Sequence, residues 1–289
     1  MNRKNLRYGL GVLVLFLSLA VLSGGIFLSS FTARPVLVVG DSQHNFEVQS
    51  RLVQKMVKEN PAVVFSTGDQ VDDGNDSGLW ITYNRITAPL RAKAKIYPAL
   101  GNHEHDSPLY FKNFGLKPGE RWYTVKTHGI RFITLDSNTP LQAGSEQYRW
   151  LENTLKKNMS KDDFTIVIFH HPIFTTSSKH TEDEKHLRGA LLPLFEKYHV
   201  DIVFSGHCHN YERSLYNGIY FIVSGGGGSR IYARQHTSPY SQVFVPNYHY
   251  CRLENKKGVL DMKVFDINGA LIDKLTITSK HRHNEEEAP

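Results

Sequence analysis

His207 and His209 flank a single cysteine in Gly206-His207-Cys208-His209, directly after the apolar run Asp201-Ile202-Val203-Phe204. In extended chain, residues two apart project to the same side. Two neutral imidazoles can therefore stand side by side, a donor pair suited to one metal ion or two adjacent ones. His-x-His alone is a weak sign, but four earlier apolar runs end in comparable donors: Asp41, Asp69, Asn102 and His170. Singly, each has a plainer reading. Gly68-Asp69 suits a turn, Asn102 a loop hydrogen bond, and His170 before His171-Pro172 a strand stop. Ligands of open α/β sheets gather beyond the carboxyl ends of strands, so five such endings predict a single metal site.

The elements that must position these donors follow from periodicity. Val36-Leu37-Val38-Val39 and Ala62-Val63-Val64-Phe65 read as buried strands on either side of a helix over 46–59, a βαβ unit. A loop at 72–78, a helix around 80–86 and a run at 95–100 lead into Gly101-Asn102-His103-Glu104. Residues 105–121 read as irregular. Strands at 122–125 and 130–135 are followed by a helix over 145–158, a strand over 164–169, and a helix over 184–198 with a break expected at Pro193. After a run at 219–223 and the glycines 225–228, three β-like segments close the chain at 243–253, 259–265 and 271–277, with Asn268-Gly269 as a hairpin turn. The tail over 279–289 is polar and reads as disordered.

Of the six net positive charges, four sit in 1–34, on Arg3, Lys4, Arg7 and Arg34, so the remainder carries only two. No basic stripe occurs there, which argues against a nucleic-acid partner. Two cysteines, Cys208 and Cys251, exclude a disulfide framework. The uncharged stretch 8–33, with its apolar core Leu10–Leu28, is long enough for a membrane-spanning helix. Its basic flank would remain cytoplasmic and place the body outside. Ser23-Gly24-Gly25 offers a cleaved signal peptide as the rival, but the apolar run continues through Leu28 and favours an anchor. No lipid-attachment cysteine follows. The expected organisation is an anchor or signal over 1–34, one domain over 35–278 and the tail, with a membrane-anchored or secreted body and an open oligomeric state.

Gly40-Asp41, Gly68-Asp69, Gly101-Asn102-His103-Glu104, His170-His171-Pro172 and Gly206-His207-Cys208-His209, in that order, resemble the calcineurin-like metallophosphoesterases. The forms Gly-Asn-His-Glu and His207-x-His209-x-Tyr211-Glu212-Arg213 are similar to the purple acid phosphatase branch. The resemblance spans about 35–230. It implies an α/β fold, a four-layered αββα sandwich of two mixed β-sheets, here preceded by the N-terminal hydrophobic helix. It also implies one metal on Asp41, Asp69 and His209, and another on Asp69, Asn102, His170 and His207. Carboxylate, imidazole and amide donors suit two divalent or mixed-valence ions, of Mn, Fe or Zn. His103 matches the family histidine that protonates the leaving oxygen or orients the phosphate, and His180 matches a second phosphate-contacting histidine.

Two positions depart from the family. Asp72 stands where purple enzymes carry a tyrosine, and Gln43 stands where many members carry a histidine ligand. The Gln43 carbonyl could bind metal weakly or through water. The resulting expectation is a hydrolase of small phosphate monoesters, with a phosphodiesterase acting on nucleotides, cyclic nucleotides or lipid head groups as the rival. A non-catalytic surface module is the remaining alternative, and a positioned His103 counts against it.

Overall fold

The computed structural model describes residues 34–279 except 158, 161, 162 and 181–183. The expected N-terminal helix and all but the first residue of the polar tail lie outside the described residues. From the amino end, β1 (Val36–Val39), α1 (Phe46–Lys58), β2 (Val63–Ser66), α2 (Ser77–Arg91), β3 (Lys95–Pro98) and α3 (Pro108–Phe114) alternate. Then come β4 (Tyr123–Thr127), β5 (Ile130–Thr134), α4 (Glu146–Leu155), β6 (Phe164–Ile168), α5 (Glu184–Lys197) and β7 (Ile202–Ser205). The last six strands are β8 (Tyr211–Tyr216), β9 (Ile219–Ser224), β10 (Ser241–Val245), β11 (His249–Asn255), β12 (Val259–Asp266) and β13 (Leu271–Thr278).

These strands form two mixed sheets, ordered β13-β12-β11-β1-β2-β3 and β10-β8-β9-β7-β6-β5-β4. In the first, β1, β2 and β3 run parallel; in the second, β5, β6, β7 and β9 do. The inner faces meet in one core, where Phe65 of β2 stacks on Phe132 of β5 with ring centroids 4.0 Å apart. The outer face of the first sheet packs against α1, α2 and α3, and that of the second against α4 and α5. This is the expected αββα layering. Both sheets are covered on both faces, which is why their parallel strands read as unbroken apolar runs.

Local sequence sets the elements. Asn45, Asp76, Ser107 and Ser145 cap α1 to α4 by accepting from first-turn amides. Val48, Leu52, Val53 and Met56 place one face of α1 in the core. Several expectations need correction. Residues 105–121 are not wholly irregular: Ser107-Pro108 starts α3, Gly115 ends it at φ 66°, and Tyr110, Phe111 and Phe114 bury it. Pro193 lies inside an unbroken α5. The run 243–253 is two strands in different sheets, because the chain passes from one sheet to the other at Pro246-Asn247-Tyr248. β8 adds a strand where none was expected; it pairs with β9 through Asn217-Gly218, both at positive φ.

Candidate metal centre

Every donor predicted from a strand end lies just beyond a parallel strand: Asp41 after β1, Asp69 after β2, Asn102 after β3, His170 after β6 and His207 after β7. The carboxyl ends of the two sheets thus meet over one place. Asp69, His170 and His207 are buried and each offers a ligand atom, all within 4.8 Å of one another, a group able to hold a metal ion. Asn102 joins it, its Oδ1 3.0 Å from His170 Nε2, and Gln43 Nε2 is 3.2 Å from Asp69 Oδ2. His209 Nε2 stands 3.6 Å from Asp41 Oδ1. Asp69, His170 and His207 thus form the compact group, Asn102 and Gln43 each touch one of its members, and Asp41 and His209 stand together as a neighbouring pair.

The loops hold these groups under constraint. Asp41, Asp69 and His207 adopt left-handed backbone, at φ 57°, 52° and 65°, a conformation that costs energy for side-chain-bearing residues. Gly101 must be glycine for a different reason: a Cβ there would collide with Asp69 Oδ1 and the Asp69 amide. The run 225–228 serves the same close packing. Gly227 N donates to Gly40 O at 2.8 Å, and a Cβ on Gly227 would strike that carbonyl.

Outer hydrogen bonds orient the ligating atoms. Nδ1 of His170 donates to Thr67 O (2.9 Å) and Nδ1 of His209 to Arg230 O (2.9 Å), which turns each Nε2 inward. Asp41 Oδ1 accepts from the His207 amide at 2.8 Å. Its Oδ2 and Gln43 Oε1 are buried with no hydrogen-bond partner in the protein. Leaving such acceptors unpaired costs roughly 1–3 kcal/mol each, a cost that coordination to a cation relieves. The residues present therefore fit a metal.

Electrostatics agree. Burial disfavours the charged form of His170, yet the charge and hydrogen bond of Asp69, and then the charge of Asp41, push its imidazole up to about 10. Burial, followed by the charge on His170, holds His207 far below the ordinary range. Burial also pushes the Asp41 carboxyl well up. Asp69 and Asp41 thus favour positive charge on His170, while burial disfavours charge on His207 and on an uncompensated Asp41.

Glu104 and Asp72 were missed as site residues. The fully buried Glu104 carboxylate accepts from the amides of Gly101 (2.7 Å), Gln70 (2.8 Å) and Asp69 (3.0 Å), locking two ligand loops together. Its place in Gly-Asn-His-Glu was the available signal. Asp72 lies at the rim against His103, whose Nδ1 is 2.7 Å from the Asp72 carbonyl. Nε2 of His103 faces the centre, 3.9 Å from Asp69 Oδ2. The His180 ring sits 3.9 Å from that of His207. Tyr211, Glu212 and Arg213, by contrast, are structural. Tyr211 and Arg213 bond Asp273 of β13, and Glu212 accepts from Thr175, Thr176 and Ser241. Cys208 and Cys251 are buried and free.

A two-sheet sandwich that gathers buried carboxylate, amide and imidazole groups at the carboxyl ends of its parallel strands is a metal-binding scaffold. A family model described as calcineurin-like phosphoesterase matches residues 34–211, and the chain belongs to that family. It is 28% identical over 204 residues to purple acid phosphatase 21 of Arabidopsis thaliana, covering 62% of this chain and 47% of that protein. A nucleotide pyrophosphatase/phosphodiesterase of Hordeum vulgare is 27% identical over 279 residues, covering 80% of this chain and 75% of that protein. The solved purple acid phosphatase of yellow lupin (Lupinus luteus) matches with a TM-score of 0.72 at 20% identity, over 85% of this chain and 53% of that one. That likeness shows the fold. The chain spans about half, or less, of the length of the curated purple acid phosphatases it matches.

Proposed function

We propose that this chain is a metal-dependent phosphoesterase that hydrolyses small phosphate monoesters. The observation that carries the reading is the buried Asp69–His170–His207 group with His103 at its open edge. In this reading Asp41, Asp69 and His209, with Gln43 beside them, hold one ion, and Asp69, Asn102, His170 and His207 hold a second, of Mn, Fe or Zn. Two such ions would supply positive charge for the phosphoryl oxygens and lower the pKa of the attacking water.

The protein's own groups do the rest. His103, its Nδ1–H held by the Asp72 carbonyl, presents the Nε2–H of its imidazolium form to the leaving oxygen and hands it that proton, which leaves the neutral Nδ1–H tautomer. His180, beside His207, contacts a phosphoryl oxygen. Buried Asp69 accepts the His103 amide at 3.1 Å, which ties the loop carrying the acid to the carboxylate that would be shared by both ions.

Residues 35–278 would form the phosphoesterase domain, carried outside the cytoplasm by an anchor or signal within 1–34. Among the described residues no helix is long and apolar enough to cross a membrane. A second reading, diester cleavage, is supported by the similarity to the barley nucleotide pyrophosphatase/phosphodiesterase.

The test is turnover of a chromogenic monoester and the matching diester by the full chain loaded with Mn or Zn, with chelated protein as control. Metal-dependent monoester turnover above the diester rate is expected. The reverse ratio would select the diester reading, and no turnover of either by metal-loaded protein would overturn both.

A further inference from the structure

Between β9 and β10, residues 225–232 run along one half of the metal centre. Gly227 N donates to Gly40 O at 2.8 Å and Ser229 N to Asp41 O at 3.0 Å, while Ser229 Oγ donates to Gln43 O at 3.3 Å. Arg230 O accepts from His209 Nδ1, and Tyr232 N donates to His209 O, both at 2.9 Å. These bonds fall on the loops of Asp41, Gln43 and His209. The other half is supported from elsewhere: His170 by Thr67 O, and the loop of Asn102 by Glu104 and Asn138. The segment ends in an aromatic contact. The Tyr232 ring stacks on the His209 ring, with centroids 4.3 Å apart and planes 22° from parallel. Tyr232 is anchored from its far side as well. Ala233 O accepts from Ser178 N at 2.9 Å, Gln235 N donates to Thr176 O at 2.8 Å, and a β-bridge pairs Ser177 with Arg234.

We propose that Tyr232 is a positioning residue whose ring clamps the His209 imidazole, and so sets the affinity of the one metal position that uses His209. The proposal rests on the two-ion arrangement of the phosphoesterase reading. The Cβ–Cγ torsion of histidine is broad, and a single hydrogen bond at Nδ1 leaves the ring room to rock about it. A flat, anchored partner against its face removes that freedom, so Nε2 is aimed in advance. The stack also favours the loaded state. The imidazole loses electron density when its Nε2 is coordinated, and the electron-rich phenol face attracts a ring that carries more positive charge. An aliphatic side chain at 232 would fill the same side and supply neither effect.

The experiment titrates the metal-stripped full chain with Zn against a chromophoric chelator, which gives stepwise dissociation constants without any turnover. Tyr232→Leu should weaken one of the two ions about tenfold or more and leave the other within about twofold. Tyr232→Phe, which keeps the ring and loses the hydroxyl, should hold both ions within about threefold of wild type. His209→Ala should weaken the same ion as Tyr232→Leu. Combining the two should cost no more than about twofold beyond His209→Ala alone, because the clamp then has no ring to hold. In turnover, Tyr232→Leu should raise the Zn concentration for half-maximal rate about tenfold. Unchanged affinities in Tyr232→Leu, equal weakening of both ions, no rescue by Tyr232→Phe, or additive losses with His209→Ala would each overturn the clamp and spare the phosphoesterase. The expected pattern of Zn binding with no ester hydrolysed by the wild type would retain the clamp and overturn the phosphoesterase.

Discussion

Nδ1 of His103 lies 3.4 Å from the Asp72 carboxylate as well as 2.7 Å from the Asp72 carbonyl. One residue thus binds the same ring nitrogen twice, which fixes the proton on Nδ1 and turns Nε2 to the centre. Asp72 is also 2.6 Å from His44 Nε2, so its carboxylate is shared between two imidazoles at the rim. Asp72→Asn keeps the carbonyl contact and removes the charge. It should lower kcat about tenfold with KM nearly unchanged, against about 10²-fold or more for His103→Ala. Equal losses in both variants, read from steady-state kinetics, would show that Asp72 does more than orient the ring.

Asp69→Asn tests the shared ligand. The substitution conserves shape, and the His103 amide retains an oxygen acceptor, so the fold should persist by circular dichroism. Metal content, measured by elemental analysis, should fall by at least one ion per chain, and activity by about 10³-fold. Full metal content with full activity would rule out Asp69 as a ligand.

Glu104→Gln tests the buried cradle. A carboxylate accepts from three amides here; a carboxamide offers one oxygen and turns an NH2 toward N–H groups. A loss of roughly 1–3 kcal/mol is expected from urea denaturation of metal-stripped protein, together with weaker metal affinity. Unchanged stability would mean that the loops are held without it.

What could be read from the sequence followed from chemistry repeated at strand ends. Asp41, Asn102 and His207 were legible because parallel strands buried on both faces are continuous apolar runs, and the polar residue that stops each run marks its carboxyl end. Elements governed by other signals were not. Tyr211-Glu212-Arg213-Ser214 carries no apolar alternation, because buried Glu212 and half-buried Arg213 are satisfied by Thr176 and by Asp273, partners 36 and 60 residues away. The signal that did exist was Asn217-Gly218, a hairpin turn. Likewise Ser107-Pro108 and Gly115 marked both ends of α3, and its shortness hid it. Glu104 and Asp72 act on neighbours across loops, a relation that spacing does not encode.

The last prediction concerns acid stability and lies away from the metal ligands. His249 is fully buried beneath Tyr211, 5.3 Å between ring centroids, with Nδ1 donating to Asn247 O at 2.9 Å and Nε2 3.2 Å from Ser224 Oγ. Burial, partly opposed by the Asn247 carbonyl, lowers its pKa to about 4 from an ordinary value of 6.5. Between those values the unfolded chain binds a proton that the folded protein does not, so stability rises with pH across that window. The contribution is complete above pH 6.5 and is lost as pH falls toward 4; a shift of that size corresponds to on the order of 3 kcal/mol. His249→Gln should therefore be less stable than wild type at pH 7 and lose less on acidification. The measurement is the urea midpoint of both proteins, metal-stripped, from pH 7 to pH 4. The other histidines titrate in both and cancel in the difference, so the gap should narrow steadily below pH 6.5. A gap constant across the range would mean that His249 takes up its proton without leaving the fold.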